Sequence, residues 1–468
     1  MDIKTHGKSL PSSKNLKTIS NWIFADPARH SFSYTLNKKF KSPAIKLHYV
    51  ARHMDTMRFL KGDLKNFVSL QHYDELLESH NGQTEFLLGL PNDTKARRWE
   101  ILKEIFDLDP KLSRTNRKTF ELIGRRAAQK SLNFNINTAT DKSSIDAIRQ
   151  YGFQSLFYST QEFTGLSSPT KPAFLVRLAT FIRNLRKSHK VKLRSDSIGA
   201  AQLLLWSQMI FGHVFSNIGS RSAVLKYGNK YATKKLRSWI DYSMSDSHTP
   251  ASGSIIARAK TVRPMFQHIP DEVYQNDIFN IVLELGGASF ILVGTSFGKI
   301  LNTLYAHDES ISSAIQKFTG TSFIDEALRI SPITTNLIRV VTKEFDFHGQ
   351  QFHVGDVIYL MLSAAMRDRE VFPSPDIMSD FSKTAPKRNM QDYLNFGPNE
   401  IAPNSFAPSD GTHPCFGQYW ARELLLQLII ALDQYEDLKP QGGLNYFMGT
   451  PDHFPLSFSA IKNHENAS

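Results

Sequence analysis

The chain has one sulfur nucleophile. Its only cysteine, Cys415, lies in Gly411-Thr412-His413-Pro414-Cys415-Phe416-Gly417, just before an apolar run that reads as a helix, Gln418–Leu432. A lone thiol of this kind is an inert buried group, a nucleophile, or a single thiolate ligand to a metal. Free N–H groups at a helix N-terminus stabilise a nearby thiolate. Gly417 would let a flat cofactor lie close to the backbone, and Gly411 lets the loop turn. His413 can reach an anionic group beside the metal.

A second pair is Glu326 and Arg329, which fall on one face of a short predicted helix, Ser322–Ile330, stopped by Pro332. Alone, Glu-x-x-Arg carries little information. Its context adds some: it follows a long apolar stretch, precedes a β-like region, and ends 86 residues before Cys415. That apolar stretch, Asn276–Tyr305, reads as one helix holding Gly286, Gly287, Gly294 and Gly298. Each glycine costs about 1 kcal/mol inside a helix. Four of them predict a bend, or a neighbour packed very close.

In this order and spacing, the segments resemble the cytochrome P450 family from about residue 45 to the C-terminus. Gly411-x-His413-x-Cys415-x-Gly417 is similar to its haem-binding loop, Glu326-x-x-Arg329 to its K-helix pair, and Asn276–Tyr305 stands where its I helix should be. Ala365–Asp376 looks like the segment before the family's meander. The resemblance implies a mainly α fold with a smaller β region, the cytochrome P450 fold. It also implies haem b, its iron ligated by the Cys415 thiolate. His413, Arg339 and Arg98 are the implied partners of the haem carboxylates, with Lys95 and Trp99 as rivals to Arg98. Gly287 and Gly417 are implied to lie against the macrocycle. Glu326 and Arg329 are implied to tie the K helix to the meander.

Most family members carry an acid–alcohol pair in the I helix that delivers protons. Here Ser289 stands at the acid position and Phe290 at the alcohol position, after Gly286-Gly287-Ala288. Glu284 is the remaining candidate for handling protons. The stretch Asn395–Pro403 and the extended loop to Cys415 (haem-thiolate loop 395–417) resemble the P450s that rearrange fatty-acid hydroperoxides. Those are the allene oxide synthases, hydroperoxide lyases and epoxyalcohol synthases. Leu283 departs from their pattern, where an Asn precedes the Gly-Gly, and their N-terminal half is not recognisable here. The resemblance thus implies an oxidoreductase acting on an apolar small molecule or lipid. The atypical I helix points to hydroperoxide rearrangement or peroxide use. The alternative is an NAD(P)H- and reductase-dependent biosynthetic monooxygenase that oxidises a secondary metabolite and needs a redox partner. Phe290, Asn92–Thr94 and Ile333–Asn336 are the implied pocket positions.

The elements that must position these residues read as mostly helical. Helices are predicted over Asn92–Phe106, Ser113–Ser131, Pro172–His189, Ser197–Ser216 and Asn229–Ser245. Strands are predicted at the start of Lys46–Leu60 and over Leu337–Thr342, Glu344–His348 and Val357–Leu362. No linker divides the chain, so one domain over 1–468 is predicted, with residues 1–20 as a polar arm.

The composition, 41% hydrophobic and 21% charged over 468 residues, is that of a globular chain. One cysteine excludes an intramolecular disulfide, a zinc finger and a cysteine-ligated iron–sulfur cluster. The net charge of +12 is spread out, with its densest clusters at Lys8–Lys17, Arg183–Arg194 and Lys226–Arg237. Only the last carries aromatics, Tyr227 and Tyr231, at helical spacing, so nucleic-acid binding is not predicted. The polar N-terminus shows neither signal peptide nor transmembrane anchor, and a soluble cytoplasmic location is predicted.

Overall fold

The structure is a computed structural model. It describes residues 31–35, 46–61, 63–64, 66–69, 92–106, 112–138, 143–169, 173–186, 197–215, 223–307, 309–318, 320–378, 393–396, 415, 417–447 and 450–461. It is mainly helical with small sheets, as the sequence predicts. The chain groups into two compact units. One takes in the residues up to Glu78, Leu87–Leu90 and Asp325–Phe416. The other takes in Ser79–Phe86, Pro91–Ile324 and Gly417–Ser468.

The first unit is built on a five-stranded sheet. Its strand order is Ser31–Thr35, Lys46–Val50, Val357–Leu360, Leu337–Val341, Val68–Ser69. Lys46–Val50 runs parallel to Val357–Leu360, with Leu47 opposite Val357. Leu337–Val341 runs antiparallel to it, with Arg339 opposite Ile358. β-branched residues at alternate positions suit this pleated surface. Val50, Val341, Ile358 and Leu360 turn inward onto Phe59 and Leu60 of the helix His53–Leu60.

Phe345–Phe347 and Gln350–Phe352 close a two-residue hairpin over the same core. Its turn residues His348 and Gly349 have φ of 55° and 75°. Positive φ at both positions matches the right-handed twist of the strands. Each phenylalanine buried there contributes about 2 kcal/mol of apolar transfer.

The second unit surrounds one long helix, Asp271–Ala306. By length and composition this helix could cross a membrane, but 83% of its apolar window is buried inside the protein. It begins at Asp271, earlier than the predicted Asn276, and the acidic Asp271 and Glu272 in its first turn complement the helix dipole. Its ladder is α-helical over Asp271–Val282, π-helical over Leu283–Ala288, and α-helical again over Ser289–Ala306. The Gly286-Gly287 pair therefore lies inside a π turn.

Close neighbours account for the other glycines. A Cβ at Gly294 would overlap the ring of Phe153. At Gly298 it would come within 3.0 Å of Pro451 Cβ. Elsewhere in this unit, the helix Leu112–Thr138 packs on Gln418–Leu432, where Gly124 faces Gln427. Phe163 stacks on Trp420 at 4.4 Å between centroids.

Candidate functional site

In the first unit, the helix Ser322–Ile330 carries a buried polar lock. Arg329 grips Glu326 with two hydrogen bonds, Nε to Oε2 at 2.9 Å and Nη2 to Oε1 at 2.8 Å, and both side chains are fully buried. The remaining guanidinium protons go to the carbonyls of Pro375 (2.7 Å), Met366 (3.1 Å) and Ile377 (3.2 Å). Tyr393 donates to Glu326 Oε2 at 3.0 Å. A bidentate pair with every polar atom used can persist without water. The pair thus holds segments 366–377 and 393–396 to one helix.

The lock continues toward the cysteine. Asn395 Nδ2 donates to the Asp325 carbonyl at 2.8 Å. The next residue, Phe396, accepts the backbone N–H of Cys415 at 2.8 Å. Cys415 is solvent-exposed. It precedes Gly417, the N-cap of the 15-residue helix Gln418–Leu432, whose first turn holds no acid. These features suit a thiolate. Also in this unit, Arg339 is 6% exposed on its strand and donates to the Ile338 carbonyl at 2.9 Å. His413 and most of the 395–417 loop lie outside the described residues.

In the second unit, Arg98 lies on the helix Asn92–Ile105, fully buried, and donates from Nε to Asp277 Oδ1 at 2.7 Å. Arg97 bonds both oxygens of the same carboxylate, at 2.6 and 3.2 Å. Two guanidiniums thus meet one buried carboxylate. Lys95 and Asn92–Asp93 have side chains outside the described residues, and Trp99 is half-buried.

Glu284 is half-buried within the π turn. The Ser289 N–H reaches back to the carbonyls of Glu284 and Gly286, the shifted register of such a turn. A Cβ at Gly287 would lie 3.1 Å from Phe211 and 3.4 Å from Ser207 Oγ, so this glycine faces the helix Ile198–Phe215. Phe290 is 1% exposed and packs on Phe153 at 5.4 Å, a core position. Ser289 Oγ stands 3.7 Å from where a Cβ at Gly417 would be.

Of the predicted residues, the structure thus brings Ser289 and Gly417 together. It gives Arg98 a carboxylate partner that sequence reasoning missed. Arg97, Asp277, Tyr393 and Phe396 were missed as well. The only local signals were the Arg97-Arg98 doublet and an acid, Asp277, within an apolar stretch.

The family model for cytochrome P450 matches residues 319–443. A cytochrome P450 of Bacillus subtilis (strain 168) is 28% identical over 177 residues, 35% of this chain and 39% of that protein. A steroid C26-monooxygenase of Mycolicibacterium smegmatis is 30% identical over 144 residues, 29% of this chain and 31% of that protein. The alignments thus span well under half the length of these curated relatives. In structure, the cytochrome P450 of the bacillaene polyketide synthase of Bacillus subtilis 168 matches with TM-score 0.63 at 14% identity. That match covers 95% of this chain and 97% of the other. Residues 319–443 thus match the cytochrome P450 family, and the fold is that of cytochrome P450 structures.

The family's cofactor is a haem whose iron takes a cysteine thiolate. The donor set fits it. The matched stretch contains the chain's only cysteine, and its thiol is accessible at a helix start. Buried guanidiniums at Arg98 and Arg339 are of the kind that pairs with carboxylates.

Proposed function

We propose that this protein is a haem-thiolate monooxygenase that oxidises an apolar small molecule of secondary metabolism and draws electrons from a separate redox protein. The accessible Cys415 thiol carries this reading. It is fixed by Phe396 and joined, through Asn395, to the Glu326–Arg329 helix. The names of two similar proteins, a steroid monooxygenase and a P450 of a polyketide synthase, supply the substrate class.

When bound, the haem supplies oxidation chemistry that no side chain of this chain offers. The residues around it have separable tasks. Cys415 would give the iron its thiolate. Arg98, Arg339 and His413 are the residues that would hold the carboxylates, and Gly417 would leave room for the macrocycle. The π turn shifts the helix register there, with the Glu284 and Gly286 carbonyls taken up by the Ser289 N–H. Glu284 and the Ser289 hydroxyl are the groups there that hold and pass a proton. Gly287 leaves room beside Ser207, and Phe290 stiffens the turn from behind.

One observation favours a second reading. Position 290 holds a phenyl ring buried on Phe153, so the helix has no alcohol there. A hydroperoxide substrate brings its own O–O bond and needs no such alcohol. The test uses haem-loaded protein and two probes. One is a steroid, supplied with NAD(P)H and a surrogate ferredoxin system. The other is a polyunsaturated fatty-acid hydroperoxide with neither. Steroid oxidation that requires NAD(P)H supports the monooxygenase. Rapid loss of diene absorbance without reductant supports rearrangement and overturns it.

A further inference from the structure

The helix Phe174–Arg186 carries more apolar surface than its own packing uses. Its inward side holds Val176, 2% exposed, and its start is tied to the helix Ile198–Phe215 by Ala173 N–H donating to Gln202 Oε1 at 3.3 Å. Five large apolar residues face water instead: Phe174, Leu178, Phe181, Ile182 and Leu185, with Phe174 and Leu185 exposed at 72% and 70%. They sit at i, i+4, i+7, i+8 and i+11, one continuous stripe about 100° wide. Among the other described residues of the second unit, exposed large apolar side chains are scattered, as is ordinary.

The charge of this segment of sequence has one sign. Residues 171–194 hold eight Lys and Arg, and the chain has no Asp or Glu between Glu162 and Asp196. Arg177 is exposed beside the stripe. Phenylalanine and leucine on one face, in a segment charged only by Lys and Arg, form the pattern of a helix that lies in a lipid–water interface. At about 20 Å the helix is too short to span a bilayer. A second copy of this segment would bring like charge against like charge, which disfavours self-pairing. An acidic protein surface would satisfy the charge, but it has no need of five exposed apolar side chains.

We propose that the helix Phe174–Arg186 is a peripheral docking face for an anionic lipid surface. Its apolar stripe enters the headgroup layer, and the Lys and Arg of the segment meet the lipid charges.

The test is flotation of the full haem-loaded chain with vesicles of phosphatidylcholine, alone or mixed with phosphatidylglycerol. Binding should be stronger on the anionic vesicles, by on the order of ten-fold or more, and should weaken with salt. The double variant Phe181→Glu/Leu185→Glu should lose that binding while keeping its far-UV circular dichroism. Should that variant misfold, Phe181→Trp gives an independent signal, a blue shift of emission on anionic vesicles only. Equal binding to both vesicle types, or none, overturns the proposal. So does a Phe181→Trp emission unchanged by anionic vesicles. A dimer that the double variant dissociates, in a protein that ignores vesicles, overturns it in favour of self-association.

Discussion

The backbone N–H of Cys415 donates to the carbonyl of Phe396 at 2.8 Å, and Asn395 is itself bonded to Asp325. The thiol thus reaches the Glu326–Arg329 helix through two hydrogen bonds and one peptide unit. The arrangement fixes the backbone at Cys415 without using the thiol itself. Cys415→Ala should therefore keep the fold and lose the thiolate. The reduced protein with carbon monoxide should lack the thiolate-type Soret band, while far-UV circular dichroism stays as in the wild type. A retained band would mean that Cys415 is not the iron ligand.

Arg329 gives its bonded N–H groups to one carboxylate and three carbonyls in a site with no water access. Arg329→Ala leaves the buried Glu326 without its cation, at a cost of about 3–5 kcal/mol. Arg329→Lys should recover little, because an ammonium cannot make the planar two-point contact. The expected readout is a fall in denaturation midpoint and in haem content for both variants. Near-normal stability of Arg329→Lys would show that one contact suffices.

The parts of this fold that were legible in the sequence are those set by local pattern. Asn92–Phe106 was predicted as a helix, and the structure shows Asn92–Ile105. Glu326–Arg329 pairs as i,i+3 spacing predicts. The strand Gln350–Phe352 escaped because its turn uses His348 at positive φ, which few non-glycine residues adopt. The helix Ile255–Val262 escaped too, although Ser254 caps it by accepting from the Ala257 N–H. Convergence of Arg97 and Arg98 on Asp277 joins residues about 180 positions apart, and no local rule reports that. The glycine pair announced an irregularity in the long helix. That the irregularity is a π turn depends on backbone hydrogen bonds that many sequences can form.

Two helical glycines should respond in opposite ways to alanine. At Gly294 the new methyl would overlap the Phe153 ring, so Gly294→Ala should destabilise by about 1–3 kcal/mol. At Gly228, inside the helix Ala223–Met244, the nearest atom is Met209 Sδ at 3.8 Å, an ordinary contact. There, intrinsic propensity decides, and Gly228→Ala should stabilise by about 0.5–1 kcal/mol. Chemical denaturation of both variants checks the contrast. Stabilisation at both sites would mean that Phe153 moves aside freely.

Asp146 ties three pieces of the second unit together. It caps the π-helical turn Ala147–Gly152 by accepting from the Ile148 and Arg149 N–H groups. It also bonds His453 Nδ1 at 2.8 Å and the Phe454 N–H at 3.2 Å. Burial pushes its carboxyl up. The hydrogen bond and charge of His453, with the N–H groups, more than offset this and hold it below its ordinary value. A lowered acid stabilises the fold above its unfolded value, about pH 4, and that contribution is lost as pH falls through the lowered value. Asp146→Asn keeps an acceptor but removes the charge, and should cost about 1 kcal/mol near neutral pH. The gap between wild type and variant should close on acidification through the carboxylate range, read as thermal midpoints across pH. A gap that stays constant down to the acid limit would assign the effect to capping geometry rather than to the charge on Asp146.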